Sequence, residues 1–294
     1  MGSNEVSTAS EDEAFTAAVA GYADVSEDDA DDIELDTPAT RGRGRGKFLT
    51  DMADVLRRAG LEVSEESGWE TRCWPKLGGF KHGVRGIVCH HTGGSNSAGG
   101  RNEINFIVNT HKLAPLSNLY LGRDGAWTVL AAGCTNTNGK GGPWGDKIPE
   151  RAANSRCIGI EAGNSGKEGW TKAQQDSYVQ GVAALADHYD VDTDDVFGHE
   201  EWVRGWPKRW KWDPAGSSRF GSINSAGTWD MDKVRAEVHA ARGKGNFTSS
   251  SSSSSASSRP SGPASDSDVY IIEEGDSWWG IARKTMGDPT NTWE

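Results

Sequence analysis

The chain has 294 residues and a formal net charge of −12, long enough for one large domain or two smaller ones. The charge is local: residues 1–40 hold twelve Asp and Glu and no Lys or Arg, while the remainder balances 31 basic against 31 acidic residues. No run of 18 apolar residues occurs, which excludes a membrane-spanning helix, and no basic segment followed by an apolar core marks a secretory leader.

Residues 1–47 read as an acidic tail that cannot bury enough apolar surface to offset its ordering entropy, and is expected to be disordered. It ends in Arg41-Gly42-Arg43-Gly44-Arg45-Gly46-Lys47, a short Gly-spaced run with the character of a flexible linker. Structure is expected from Phe48. Thr50 can cap a helix whose apolar positions Met52, Val55, Leu56 and Ala59 keep helical spacing, with Gly60 as its stop. A segment containing Trp69 and Trp74 leads to a short apolar run at 84–90, consistent with a buried strand. Residues 103–111 read as a helix with Ile104, Ile107 and Val108 on one face. The stretches 118–122 and 127–131 flank an Arg123-Asp124-Gly125 turn as a hairpin.

The Gly-rich stretch 133–145 has no phosphate-loop pattern, and its glycines are expected to rim a cleft. Residues 157–161 form another apolar strand. Thr171 and Gln174 make a capping-box pattern ahead of a helix carrying Tyr178, Val182, Leu185, Ala186 and Tyr189. Residues 196–197 open the segment that delivers His199, and Asp230 can cap a last helix with Met231, Val234 and Val238 on one face. Strands interleaved with helices predict an α/β domain over 48–243. Four cysteines, Cys73, Cys89, Cys134 and Cys157, lack CxxC spacing and are expected to be buried reduced thiols.

Three separated residues carry the chemistry: His90 in Val88-Cys89-His90-His91-Thr92, His199 in Phe197-Gly198-His199-Glu200, and Asp213 in Lys211-Trp212-Asp213-Pro214. Two imidazoles and a carboxylate are a plausible ligand set for a catalytic zinc, with the fourth tetrahedral position left for water. Glu161 and Lys211 are available to manage protons and to stabilise an oxyanion. Each residue also has a plainer reading. Asp213 can cap a turn before Pro214, Glu161 can be an ordinary strand residue, and Lys211 can be a solvated charge. Trp202, Trp206, Trp210 and Trp212 serve equally well as core anchors or as platforms for sugar rings.

The local contexts sharpen the reading. Gly86-Ile87-Val88-Cys89-His90-His91-Thr92 resembles the first ligand strand of zinc-dependent N-acetylmuramoyl-L-alanine amidases, a family that includes bacteriophage endolysins and peptidoglycan recognition proteins. Gly198-His199 resembles the family's second ligand segment, and Lys211-Trp212-Asp213-Pro214 its Lys-x-Cys/Asp-Pro signature. The resemblance implies His90, His199 and Asp213 as zinc ligands, with His91 on the opposite strand face. It also implies a mixed central β-sheet with flanking helices. The family positions the attacking water with a Tyr or a Glu. The Tyr position falls on Ser117 here, whereas Ile158-Gly159-Ile160-Glu161 matches the Glu version, so Glu161 becomes the implied general base and Lys211 the oxyanion stabiliser.

Residues 244–267 form a Ser-rich linker with Pro and Gly near its end. Residues 268–294, with Val269-Tyr270-Ile271-Ile272 followed by Gly275-Asp276-Ser277-Trp278-Trp279, resemble the opening of a peptidoglycan-binding LysM module without its second half. The resemblance implies a phage-type endolysin: a monomeric zinc hydrolase that cuts the bond between N-acetylmuramic acid and L-alanine. It would be held in the host cytoplasm before release onto the wall, with peptidoglycan as its partner and neither nucleic acid nor membrane insertion involved. Two alternatives stand beside it, a non-catalytic peptidoglycan receptor and a zinc peptidase acting on the stem peptide. Asp213 disfavours the receptor, because members that only bind the wall typically lack that ligand.

Overall fold

The structure, a computed structural model, describes residues 46–94, 100–206 and 211–243. The chain divides into two units, 1–248 and 249–294, and every described residue belongs to the first. The acidic tail and most of its Arg-Gly run, the Ser-rich linker and the LysM-like segment lie outside the described residues.

The first helix, α1 (Met52–Arg58), buries Met52, Ala53, Val55 and Leu56, as the apolar spacing requires. Its N-cap is Asp51 rather than Thr50. It ends as predicted at Gly60, whose φ of 78° lets Leu61 N–H reach Leu56 O and Gly60 N–H reach Arg57 O, closing orphan carbonyls of the last turn. Strand β1 (Val63–Glu65) follows. It was not legible in sequence, because two of its three residues are exposed and no apolar alternation marks them.

Strand β2 (Gly86–His91) is buried along its whole length. The stretch read as a helix over 103–111 instead begins at α2 (Gly100–Asn105) and widens into a π-turn over Phe106–Thr110. There His111 N–H bonds Phe106 O, and Thr110 Oγ1 and Asn109 Nδ2 both return to Asn105. The hairpin is β3 (Leu119–Leu121) and β4 (Trp127–Val129), paired antiparallel about the Arg-Asp-Gly turn. A short α3 (Ala153–Arg156) runs directly into β5 (Cys157–Ala162).

The long α4 (Lys172–Tyr189) is capped by Thr171, which accepts from Gln174 N–H. Only half of the expected capping box forms, because the Gln174 amide turns inward and donates to Gly163 O at 3.0 Å. Strand β6 (Val196–Gly198) leads straight into α5 (His199–Val203), and α6 (Met231–Ala241) is capped by Asp230 as predicted.

The sheet order is β1-β4-β3-β5-β2-β6. All neighbours are parallel except β3 and β4, so the sheet is mixed, with helices packed around it. Alternation along the central strands divides its two faces. Ile87, Cys89, Ile158, Ile160, Leu119 and Leu121 share the main core with α1, α4 and α6. On the opposite face stand Val88, His90, Glu161 and Tyr120, covered by α2, α5 and the stretch from 130 to 154. Asp51 fastens α1 to the end of α4 through Tyr189 Oη (2.6 Å) and His188 Nε2 (2.8 Å). All four cysteines are free thiols, and no described helix is long and apolar enough to cross a membrane.

Candidate metal centre and active site

The strand register creates the first half of the site. Parallel pairing of β2 with β5 sets His90 opposite Glu161, and pairing of β3 with β5 sets Tyr120 on the other side of Glu161. Residues in register project to the same face, so His90 and Glu161 are neighbours although 71 positions separate them in the sequence. Both are buried, at 1 % and 4 % exposure. From the far face, the Tyr178 hydroxyl on α4 braces the strand, accepting from His90 N–H (3.2 Å) and donating to His90 O (3.3 Å).

The second half comes from the β6–α5 junction. His199 is the first residue of α5. Arg235 on α6 holds Glu201 with both guanidinium nitrogens (2.9 and 3.0 Å), and Glu201 Oε2 accepts from Gly198 N–H, so the start of the helix is fixed. Glu200 N–H in turn bonds Asp213 O at 3.0 Å, which brings the Lys-Trp-Asp segment against His199. The result is a triangle of donor atoms. His90 Nδ1 lies 2.9 Å from Asp213 Oδ2 and 3.1 Å from His199 Nδ1, and His199 Nδ1 lies 3.1 Å from Asp213 Oδ2. Among the described residues these three form the one group able to hold a metal ion.

Electrostatics agree with a cation site. Burial alone would raise the Asp213 carboxyl, but the two imidazoles outweigh it and hold the group well below the usual carboxylate range. Burial pushes His199 down to about 4, against the pull of Asp213, so it stays neutral with a lone pair to give. His90 is also disfavoured as a cation by burial, yet its hydrogen bond to Asp213 and the nearby Glu161 and Asp213 charges leave its pKa raised. A buried carboxylate beside an imidazole that attracts a proton is a site a metal cation can take over by displacing that proton. Lys211 is close enough for its charge to act on His199 and His91.

Two other histidines have structural partners. His91 Nδ1 accepts from Ala215 N–H at 3.0 Å on the opposite face of β2, and His111 Nδ1 accepts from Leu113 N–H at 3.1 Å. Ser117 is fully buried and donates to the carbonyls of Leu119 and Gly159. The structure also separates the tryptophans. Trp202 is a core residue at 1 % exposure, Trp206 lies under the Arg151 guanidinium, and Trp212, beside Asp213, is half exposed. Trp210 lies outside the described residues.

The Gly-rich stretch is buried from residue 133 to 138. Three of its glycines serve close packing: a β-carbon on Gly133, Gly141 or Gly142 would meet a neighbour at 2.5 Å or less, at Gly142 the Trp202 indole at 2.3 Å. Two polar groups escaped the sequence reading. Asn138 Oδ1 sits 2.9 Å from His90 Nε2. Glu103 accepts from Thr92 Oγ1 (2.7 Å), Tyr120 Oη and Arg123 Nη1 (3.0 Å), and so secures the chain leaving β2. Asn138 stood in a Gly-rich loop and Glu103 at a helix start, where polar residues are unremarked; only their burial singles them out.

His91 provides a test of this packing. Burial, reinforced by the His90 and Lys211 charges and opposed by Asp213, pushes its pKa down to about 4. Between pH 6.5 and 4 the unfolded chain takes up a proton that the fold refuses, so stability falls with falling pH. The contribution is roughly 3 kcal/mol across that window. In chelator, the melting temperature of His91→Asn, which keeps an acceptor for Ala215 N–H, should fall less steeply over this range than that of the wild type. Parallel profiles would show that His91 does not titrate in this way.

Residues 80–216 match the N-acetylmuramoyl-L-alanine amidase family model. Among solved structures, the chain is similar to the endolysin N-acetylmuramoyl-L-alanine amidase LysCS from Clostridium intestinale (18 % identity, 60 % of this chain and 95 % of that one, TM-score 0.38). It is also similar to the Staphylococcus aureus hydrolase AmiA (15 %, 66 % and 91 %, 0.42) and to Drosophila PGRP-LB (17 %, 48 % and 84 %, 0.35). No curated protein matches the chain. Over residues 80–216 the chain carries a domain of the N-acetylmuramoyl-L-alanine amidase family.

Proposed function

We propose that the protein is a zinc-dependent peptidoglycan amidase of the endolysin type, hydrolysing the bond between N-acetylmuramic acid and L-alanine. The observation that carries this is the donor triangle of His90, His199 and Asp213 with Glu161 in register beside it. The triangle fits zinc. Bonds of about 2.0–2.1 Å in a tetrahedron separate ligand atoms by about 3.3 Å, within a few tenths of an ångström of the three edges here. Two imidazoles and one carboxylate are also a donor set used by catalytic zinc sites. Zinc bound there would polarise the scissile carbonyl and lower the pKa of water at its open position to about 7.

The chain's own groups account for the proton traffic. Glu161, buried beside His90, takes the proton of the attacking water and returns it to the leaving alanine nitrogen. Lys211, a cation at the rim, stabilises the oxygen that gains negative charge. Asp213 favours a hydrolase over a wall receptor, because it completes the donor set.

Digestion of purified cell wall followed by mass spectrometry tests the reading. Stem peptides with a free L-alanine amino terminus should be released, leaving muramic acid with its lactyl carboxyl. A chelator should abolish release and added zinc restore it. New termini within the stem peptide would make the enzyme a peptidase, and an unchanged wall would leave a binding protein.

A further inference from the structure

We propose that Asn138 is a positioning residue that selects Nδ1 of His90 as the metal-binding atom; the inference rests on the zinc reading above. Asn138 Oδ1 lies 2.9 Å from His90 Nε2, and both residues are 1 % exposed. An amide oxygen only accepts, so Nε2 must carry the ring hydrogen. A neutral imidazole with hydrogen on Nε2 has its lone pair on Nδ1, the atom 2.9 Å from Asp213 Oδ2 and 3.1 Å from His199 Nδ1. With the amide reversed, an N–H would face Nε2 and the ring hydrogen would move to Nδ1, into the donor triangle. A ligand histidine is held in its working tautomer by the bond its other nitrogen makes.

Asn138 is itself held from two directions. Its backbone N–H donates to Asn154 Oδ1 (2.7 Å), and Asn154 Nδ2 donates to Asn136 Oδ1 (2.9 Å), with all three asparagines at or below 2 % exposure. Asn154 belongs to α3, which runs directly into the strand bearing Glu161. Thr137 presses on Gly159 of that strand, where a β-carbon would come within 2.5 Å. Further along the same loop, Gly139 O accepts from Trp202 Nε1 (3.3 Å) and Gly142 N–H donates to Trp202 O (2.8 Å). Trp202 sits on α5, the helix that begins with His199. One buried loop therefore joins the elements carrying His90, Glu161 and His199.

Stability alone does not account for an asparagine at this position. Its Nδ2 is buried with no hydrogen-bond partner among the described residues, an arrangement that costs free energy. An apolar residue of similar size would avoid that cost but would leave His90 Nε2 unpaired. What Asn138 supplies is the acceptor.

The test uses the full chain and zinc alone, with zinc affinity measured by competition against a chromophoric chelator and with the metal-free melting temperature recorded alongside. Asn138→Ala and Asn138→Leu should bind zinc about 10- to 100-fold more weakly. Asn138→Asp, which keeps an acceptor facing Nε2, should recover affinity to within a few-fold of wild type. In the zinc-loaded wild type, long-range 1H–15N spectra of the imidazole should show His90 protonated at Nε2. That spectrum needs no variant, so the inference stays open to refutation even if a substitution prevents folding. It is overturned if Asn138→Ala binds zinc as the wild type does, if Asp rescues no better than Leu, or if Nε2 is the metallated nitrogen. A wild type that fails to bind zinc would overturn the proposed function as well, whereas wild-type-like Asn138 variants of a zinc-binding protein would remove this inference alone.

Discussion

Glu161→Gln should keep zinc at wild-type stoichiometry and lose about a hundredfold or more in turnover, the usual contribution of acid–base catalysis. The side chain is buried on β5, in register with His90 on one side and Tyr120 on the other. Gln keeps its volume and an acceptor oxygen but cannot take a proton. The fold has no reason to shift, and the three donor atoms are untouched. The loss should fall on kcat and kcat/KM together with KM little changed, the pattern of an interaction made in the transition state. Loss of zinc in the variant would make Glu161 a ligand and force Asp213 to be reassigned. Unchanged turnover would leave Glu161 a structural strand residue and require another group to position the water.

His199→Ala should remove both zinc and wall lysis while leaving a folded protein. Zinc binding to four-ligand structural sites is worth roughly 10–16 kcal/mol, so each ligand carries about 3 kcal/mol, or at least a hundredfold in affinity. The variant leaves His90 and Asp213 bonded to each other at 2.9 Å, a pair that competes with the metal. The opening of α5 is secured independently by Arg235 and Glu201, so the helix should persist. His90→Ala should lose zinc equally, with a larger cost to stability. Like His199→Ala it leaves the buried Asp213 carboxylate with one imidazole, and it also leaves the Asn138 oxygen with no donor. Metal analysis of both purified variants beside circular dichroism checks this. Full zinc occupancy in either one would sink the ligand assignment.

Much of this molecule is written in local patterns. Helical spacing after residue 50, Gly60 as a stop, Thr171 and Asp230 as caps, the hairpin about Arg123-Asp124-Gly125 and the buried runs ending at His90 and Glu161 all depend on residues within a few positions of one another. Such signals survive in a bare sequence because backbone geometry and side-chain period act over one or two turns or strands. The candidate ligands were legible for a different reason. His90, His199 and Asp213 each stand in a short context that resembles a known family, although no spacing between them predicts a shared site.

Other features depend on which distant residues meet, and local pattern carries no record of that. Strand β1 exists because Val63–Glu65 finds an edge of β4 to pair with, not because its residues alternate. The widening of α2 into a π-turn reflects side chains returning to Asn105. The glycines near Trp202 are spacers for an indole 60 positions away. The roles of the tryptophans, open in sequence, divide by burial into the core residue Trp202 and the half-exposed Trp212. The adjacency of His90 and Glu161 is a matter of strand register, and the bond from Asn138 to His90 spans 48 residues. The sequence by itself determined the helices α1, α4 and α6, the central strands and the chemical types at the site. Tertiary structure alone decided which of those groups face one another, because register and loop packing join residues that no local period connects.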